Sequence, residues 1–204
     1  MTQAHEQMLQ YVESLFEENY AGPENRPYFK HKLHHTKRVI GWARRIGAVE
    51  GANMDIVLTM AIFHDCGYAF AAQGHPERGA EIAGEYLCER GYSDEYIDEV
   101  CTAIINHNDR SLLAPTTPMN TLVLMEADNI DEKGAMALLW DAMAEGTTER
   151  PTYRKTLLRI KHHYERREKN IMITATARRY WEEKQEAVRA FIETLELDMD
   201  MREK

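Results

Sequence analysis

The amino-acid sequence predicts an all-α protein built from about eight or nine helices. Apolar residues recur every three or four positions through most of the 204 residues, which is the spacing of one helix face. No stretch alternates apolar and polar residues between tight turns, as a β-hairpin would. Glycines, prolines and capping residues separate the helical stretches.

The first three predicted helices show this pattern most clearly. The first covers about residues 5–19 and precedes a loop rich in glycine and proline. The second covers about residues 32–50 and has one apolar face. The third, about residues 56–64, is apolar nearly all round, with Asp55 as its predicted N-cap. A helix of this kind is typical of the centre of a bundle.

The next three helices are marked by their ends. The fourth covers about residues 77–90 and is predicted to end at Gly91. Ser93 is the predicted N-cap of the fifth, which has an acidic first turn and extends to about residue 108. The sixth covers about residues 119–130 and follows a loop with two prolines.

The remaining helices are predicted over about residues 134–144, 152–169 and 174–197. The segment 146–151 begins with glycine and ends with proline, so it separates the last two helices from the rest. The length suits one domain, and we predict a single domain over residues 1–204 with a C-terminal helical extension over about residues 151–197.

Composition excludes several classes of function. A formal net charge of −9 argues against general nucleic-acid binding, which needs a basic face. No apolar run is long enough to span a bilayer, and the N-terminus does not resemble a signal peptide. Three irregularly spaced cysteines do not form a disulfide framework. We therefore expect a cytoplasmic protein without a membrane partner.

The doublet His64-Asp65 follows the apolar third helix and is the centre of the predicted chemistry. Burying an imidazole beside a carboxylate costs free energy unless a partner compensates, and a divalent metal would do so. Further nitrogen and oxygen donors stand on other helical segments: His35, His75, His107 and Asp128. Such a mixed set suits Fe, Mn, Co or Zn better than Ca.

Five segments resemble the HD-domain superfamily of metal-dependent phosphohydrolases. The resemblance covers about residues 30–140, the predicted metal-binding core. In chain order its segments are His35-Thr-Lys-Arg-Val39, Ala61-Ile-Phe-His64-Asp65-Cys-Gly67, His75-Pro-Glu-Arg-Gly, Ala103-Ile-Ile-Asn-His107 and Glu126-Ala-Asp128. The doublet is often followed by Ile-Gly in this family, where this chain has Cys66-Gly67. The resemblance implies an HD-domain helical bundle.

The resemblance also implies a ligand set. The first metal would be held by His35, His64, Asp65 and Asp128, with Asp65 bridging to a second metal. His75 and His107 would complete the second position. His64 and Asp65 would be the catalytic residues. One or two divalent ions are expected, with Fe, Mn, Co or Zn preferred and Mg or Ni also considered.

The implied function is hydrolysis of a phosphate ester by metal-activated water. The substrate would be a nucleotide or another small phosphorylated metabolite. Candidate phosphate-binding side chains are Arg38 and Arg78, each one helical turn from a predicted ligand, and Lys133. A homodimer is left open.

Two other functions stay open at this stage. A diiron HD-type oxygenase uses the same ligand set and would cleave a small metabolite with O2. A non-catalytic ligand-sensing module with a vestigial site is the second alternative. The other five histidines are expected to be solvated or packing residues: His5, His31, His34, His162 and His163.

Overall fold

The computed structural model describes residues 1–19, 32–167 and 171–200, and for Arg167 its backbone alone. Within these ranges the protein is helical and has no β-strand, which confirms the predicted fold class. The described helices are α1 Gln3–Asn19, α2 Lys32–Glu50, α3 Met54–Phe63, α4 His75–Glu89, α5 Asp94–Asn106, α6 Met119–Asp131, α7 Ala135–Gly146, α8 Tyr153–Arg167 and α9 Ala175–Asp198. Two short 3-10 turns, Cys66–Ala69 and Arg110–Leu112, follow α3 and α5.

Contacts divide the chain into two compact units, residues 1–128 and residues 129–204, so the division falls within α6. In the first unit, α3 packs against α1, α2, α4 and α5. Every residue of α3 from Ile56 to Phe63 is buried, as the all-round apolar pattern predicted. The helix that carries the His-Asp doublet at its end is therefore the centre of this unit.

The ends of the helices agree with the sequence patterns, with one correction. Ser93 is the N-cap of α5, and its side chain accepts a hydrogen bond from the Tyr96 amide. The predicted cap of α3, Asp55, is wrong. Asn53 is the cap, and its side chain accepts from the amide of Asp55, which lies in the first turn. The acidic residue still favours the positive end of the helix.

The second unit contains a small apolar core between α8 and α9. It consists of Leu157, Ile160, Val188 and Ile192, with the partly buried side chains of Leu138, Tyr164, Leu195 and Met199 packed against it. Beside this core, buried Asp141 accepts a hydrogen bond from His163, at 2.6 Å. None of the described helices combines the length and apolar composition needed to cross a membrane.

Candidate metal centre

A buried carboxylate, Asp65, lies at the centre of four imidazole rings. Its Oδ2 is 3.5 Å from Nε2 of His35 and 3.4 Å from Nε2 of His64. Its Oδ1 is 3.4 Å from Nε2 of His75 and 3.5 Å from Nε2 of His107. One carboxylate is thus shared between two histidine pairs, with one oxygen toward each pair.

Five elements bring these side chains together. His35 lies on α2, His64 caps the C-terminus of α3, His75 begins α4, and His107 caps the C-terminus of α5. Asp128 comes from α6, and its Oδ1 is 3.0 Å from Nε2 of His35. All six residues predicted as ligands therefore lie in one cluster.

Three of the four imidazoles are oriented in the same way by the backbone. The Nδ1 atoms of His64, His75 and His107 lie 2.9, 3.0 and 2.6 Å from the carbonyl three residues earlier. Because a carbonyl can only accept a hydrogen bond, Nδ1 must carry the proton. In the neutral ring, the lone pair of Nε2 then points toward Asp65, which is the tautomer that binds metals.

Gly67 allows the start of α4 to approach the doublet. A Cβ atom at this position would lie 2.2 Å from the backbone oxygen of His75 and 2.9 Å from the amide of Gly79. Both neighbours are backbone atoms, so a side chain has no room here. The glycine after the doublet is therefore required by the close packing that places His75.

The spacing of the donor atoms fits divalent metal ions. Two ligand atoms that each lie about 2.1 Å from one ion are roughly 3.4 Å apart at a tetrahedral angle. The Nε2–oxygen distances of 3.4 and 3.5 Å around Asp65 match this separation. The donors form two groups within 4.8 Å: His35, His64 and Asp65, and Asp65, His75 and His107. The set can therefore hold two ions.

The carboxylates of the cluster are ionised. Burial alone would raise the pKa of Asp65, but electrostatic attraction to His64 and Lys32 holds that pKa well below its usual value. Burial also opposes ionisation of Asp128, and the hydrogen bond and charge of His35 outweigh it, so the pKa of Asp128 is lowered. Two negative charges at these imidazoles favour a cation in the cluster.

The two imidazoles that face Oδ1 differ in proton affinity. Burial lowers the pKa of His75, so its ring is neutral at physiological pH and free to bind a metal. Burial also disfavours charge on His107, but the hydrogen bond with Asp65 and the nearby Asp128 raise its pKa overall. A proton and a metal ion therefore compete for Nε2 of His107.

Sequence reasoning missed two cations that border the cluster. The ammonium of Lys32 lies 2.8 Å from Oδ2 of Asp65, and its side chain is only 16% exposed. The guanidinium of Arg110 lies 3.8 Å from Oδ2 of Asp128 and is 47% exposed. A signal was present in each case, because Lys32 stands three residues before His35 and Arg110 three residues after His107.

The ion pairs described above for the six clustered side chains do not involve the three predicted phosphate-binding side chains, Arg38, Arg78 and Lys133. Arg78 donates to Glu81 at 2.9 Å, and its guanidinium stacks over Phe70 at 5.0 Å. Arg38 is partly buried on α2, one turn beyond His35. Lys133 follows the end of α6 in the second unit, where its carbonyl accepts a hydrogen bond from Lys184. Their role in substrate binding stays a prediction.

The cysteine after the doublet is a packing residue. Cys66 is fully buried, and burial raises the pKa of its thiol, which disfavours the nucleophilic thiolate. Of the histidines outside the cluster, His5 is buried and hydrogen-bonded to the carbonyl of Asp55, whereas His34 is exposed. His31 lies outside the described residues.

Solved structures similar to this chain share its fold. An HD-superfamily hydrolase from Bacillus thuringiensis has a TM-score of 0.76 and 21% identity, with 98% of both chains covered. A predicted HD superfamily hydrolase from an uncultured Thermotogales bacterium has a TM-score of 0.66 and 23% identity, over 95% of this chain and 92% of the other. Bacillus subtilis YpgQ, solved in complex with ADP, has a TM-score of 0.67 and 23% identity, over 95% and 94%.

Sequence comparison leads to the same family. No curated protein matches the chain significantly. The family model that matches is the HD domain, and it covers residues 33–133, the segment that contains all six clustered residues. With its HD domain at residues 33–133 and an HD-type helical fold around it, this chain belongs to the HD-domain proteins.

Proposed function

We propose that this protein is a metal-dependent phosphohydrolase that cleaves a phosphate ester of a nucleotide or another small phosphorylated metabolite. The observation that carries the proposal is the division of Asp65 between two histidine pairs. Two divalent ions held by these residues would supply the arrangement used for phosphoryl transfer to water. Fe, Mn, Co and Zn all suit the nitrogen and oxygen donors.

The residues of this chain have separate roles in the proposed reaction. When bound, the divalent ions lower the pKa of a coordinated water and neutralise charge on the phosphoryl oxygens. Asp65 keeps the two positions adjacent, and the backbone-anchored rings of His64, His75 and His107 fix the directions of their Nε2 atoms. Because these groups are buried and held in place, they need little rearrangement during the reaction.

Arg110 provides the proposed contact with the substrate phosphate. Its guanidinium is half-exposed at the edge of the cluster, and at 3.8 Å it is too far from Asp128 for a hydrogen bond. The 3-10 turn that carries it is held by Asp109, whose carboxylate accepts from the amide and hydroxyl of Ser111. A planar guanidinium suits two-point binding of a phosphate. The ADP bound to YpgQ supports a nucleotide as the substrate class.

The proposal is tested by comparing alanine substitutions at two neighbouring histidines, His35 and His34. Metal-free protein is loaded with Mn2+, Co2+ or Fe2+ and assayed for phosphate and pyrophosphate release from a panel of nucleotides and phosphomonoesters. We expect hydrolysis by the wild-type protein and its loss, together with loss of bound metal, in His35→Ala. The neighbouring His34→Ala is the matched control, because His34 is exposed on the same helix, and it should retain both.

Two results would contradict the proposal. The first is metal binding without hydrolysis of any compound in the panel. The second is unchanged metal content in His35→Ala. Oxygen consumption by the Fe2+ form, without phosphate release, would indicate instead that the protein is a diiron oxygenase.

A further inference from the structure

Lys32 places a fixed positive charge inside the cluster. Its ammonium is 2.8 Å from Oδ2 of Asp65, the oxygen that also faces His35 and His64. Its side chain is largely buried at the start of α2, and the ammonium also lies 4.5 Å from the centre of the Tyr68 ring. The contact is therefore a largely buried ion pair rather than a loose surface pair.

The two oxygens of Asp65 are unequal because of this contact. Oδ2 has both the ammonium and one histidine pair beside it, whereas Oδ1 faces His75 and His107. A divalent ion ligated by Oδ2 would have a second cation within a few ångströms. Like charges at this distance repel strongly in a buried site.

We propose that the ammonium of Lys32 competes with a metal ion for the Oδ2 side of Asp65. An ion held by His35, His64 and Asp128 then binds only if it displaces the ammonium. The ion on the Oδ1 side requires no such displacement. The number of bound ions then depends on metal concentration, and Lys32 determines the metal concentration at which both ions are bound. The inference rests on metal binding by the cluster, and not on the substrate.

The chemistry of lysine supports this role. An ammonium on a flexible four-carbon stem can leave a carboxylate without a change in the backbone. The lysine side chain is a cation at neutral pH, and it meets the carboxylate of Asp65 as an ion pair at 2.8 Å. In metal-free protein the same contact compensates the buried charge of Asp65.

Titration with Mn2+ alone tests the proposal without any substrate. The protein is stripped with a chelator, and the affinity and number of bound ions are measured by calorimetry and electron paramagnetic resonance. In Lys32→Met we expect one of the two ions to bind at least tenfold more tightly than in wild type. The spectrum of a coupled Mn2+ pair should then appear at a lower metal concentration. Metal-free Lys32→Met should also have a lower Tm, by several degrees.

Three further variants make the test specific. Lys37→Met is the matched control, because Lys37 is on the same helix, half-exposed and paired with Glu13 at 2.6 Å; it should bind Mn2+ as wild type does. Lys32→Gln, which is uncharged but can hydrogen-bond to Asp65, should also bind the same ion more tightly than wild type does. It replaces Lys32→Met in the test if that variant does not fold. Adding His75→Ala should leave the Lys32 effect intact, since His75 faces the other oxygen.

Each outcome decides the proposal. Equal Mn2+ affinities in wild type, Lys32→Met and Lys32→Gln would overturn it, as would a gain that disappears in the His75→Ala background. Absence of Mn2+ binding to wild type would overturn it together with the metal centre. If the Mn2+ affinities change as expected but no compound in the phosphoester panel is hydrolysed, the proposed function is contradicted. The inference about Lys32 would still hold.

Discussion

Individual hydrogen bonds prepare the cluster for metal before any substrate is present. The carbonyls of Ala61, Ala72 and Ile104 each accept from Nδ1 of a histidine three residues later. The repeated geometry selects one tautomer and one ring direction, so the Nε2 lone pairs need not be reoriented when an ion binds. The local spacing of three residues is therefore part of the site's chemistry and not only of its fold.

At the residue scale, Arg110→Gln tests the proposed phosphate contact. Loss of one charged partner at a half-exposed site should raise KM about 10- to 100-fold, equivalent to roughly 1.5–3 kcal/mol for a charge-assisted hydrogen bond. Bound metal should not change, because Arg110 is no ligand. Steady-state kinetics and elemental analysis provide the two readouts.

Arg78→Gln is the matched control for that substitution, because Arg78 is also half-exposed in the first unit but pairs with Glu81. Its surface ion pair contributes about 0–1 kcal/mol, and kinetic constants should stay close to those of wild type. A KM that rises in Arg78→Gln but not in Arg110→Gln would reverse the assignment and restore the prediction made from the sequence.

At the scale of elements, the approach of α4 to the 3-10 turn Cys66–Ala69 decides where His75 lies. Gly67→Ala would place a methyl group against the backbone of α4, which cannot move aside as a side chain would. We expect a loss of about 1–3 kcal/mol in the free energy of unfolding, typical of overpacking. Release of the ion held by His75 and His107 should accompany it. Urea denaturation and metal analysis measure these effects.

Gly84→Ala, within α4, is the control for Gly67→Ala. A Cβ at Gly84 meets Cys101 Sγ at 3.4 Å, an ordinary van der Waals contact. Replacing a glycine inside a helix with alanine should be neutral or stabilising by about 0.5–1 kcal/mol. If Gly67→Ala kept two ions at wild-type affinity, the close packing at the turn would not be what positions His75.

On the scale of the whole molecule, the chain has two compact units, and the candidate metal centre lies in residues 1–128. Our sequence-based prediction that the C-terminal helices are an extension of the metal-binding core is tested by Leu157→Ala, in the buried core of the second unit. Removing this side chain should cost about 2–5 kcal/mol. Under native conditions we expect metal affinity and hydrolysis to stay unchanged. If circular dichroism shows that the variant is folded and metal affinity or hydrolysis is nevertheless lost, the second unit has a direct role in that process.

Much of the architecture could be predicted because it depends on local patterns. The helical periodicity, the all-round apolar third helix and the Ser93 cap each act within a few residues, and the structure confirms them. The cap of α3 was assigned two residues too late, since Asn53 and Asp55 both have capping side chains and the sequence alone does not show which backbone is extended.

The helical class, the HD-type motif and the order of the segments that carry the clustered residues all follow from the amino-acid sequence. Only the tertiary structure decided how these segments meet: which oxygen of Asp65 faces which histidine pair, that Lys32 and Arg110 border the carboxylates, and that Gly67 has no room for a side chain. The physical reason is distance along the chain. His35 and Asp128 are 93 residues apart yet 3.0 Å from each other. Such a contact depends on how whole helices pack, which no local pattern records.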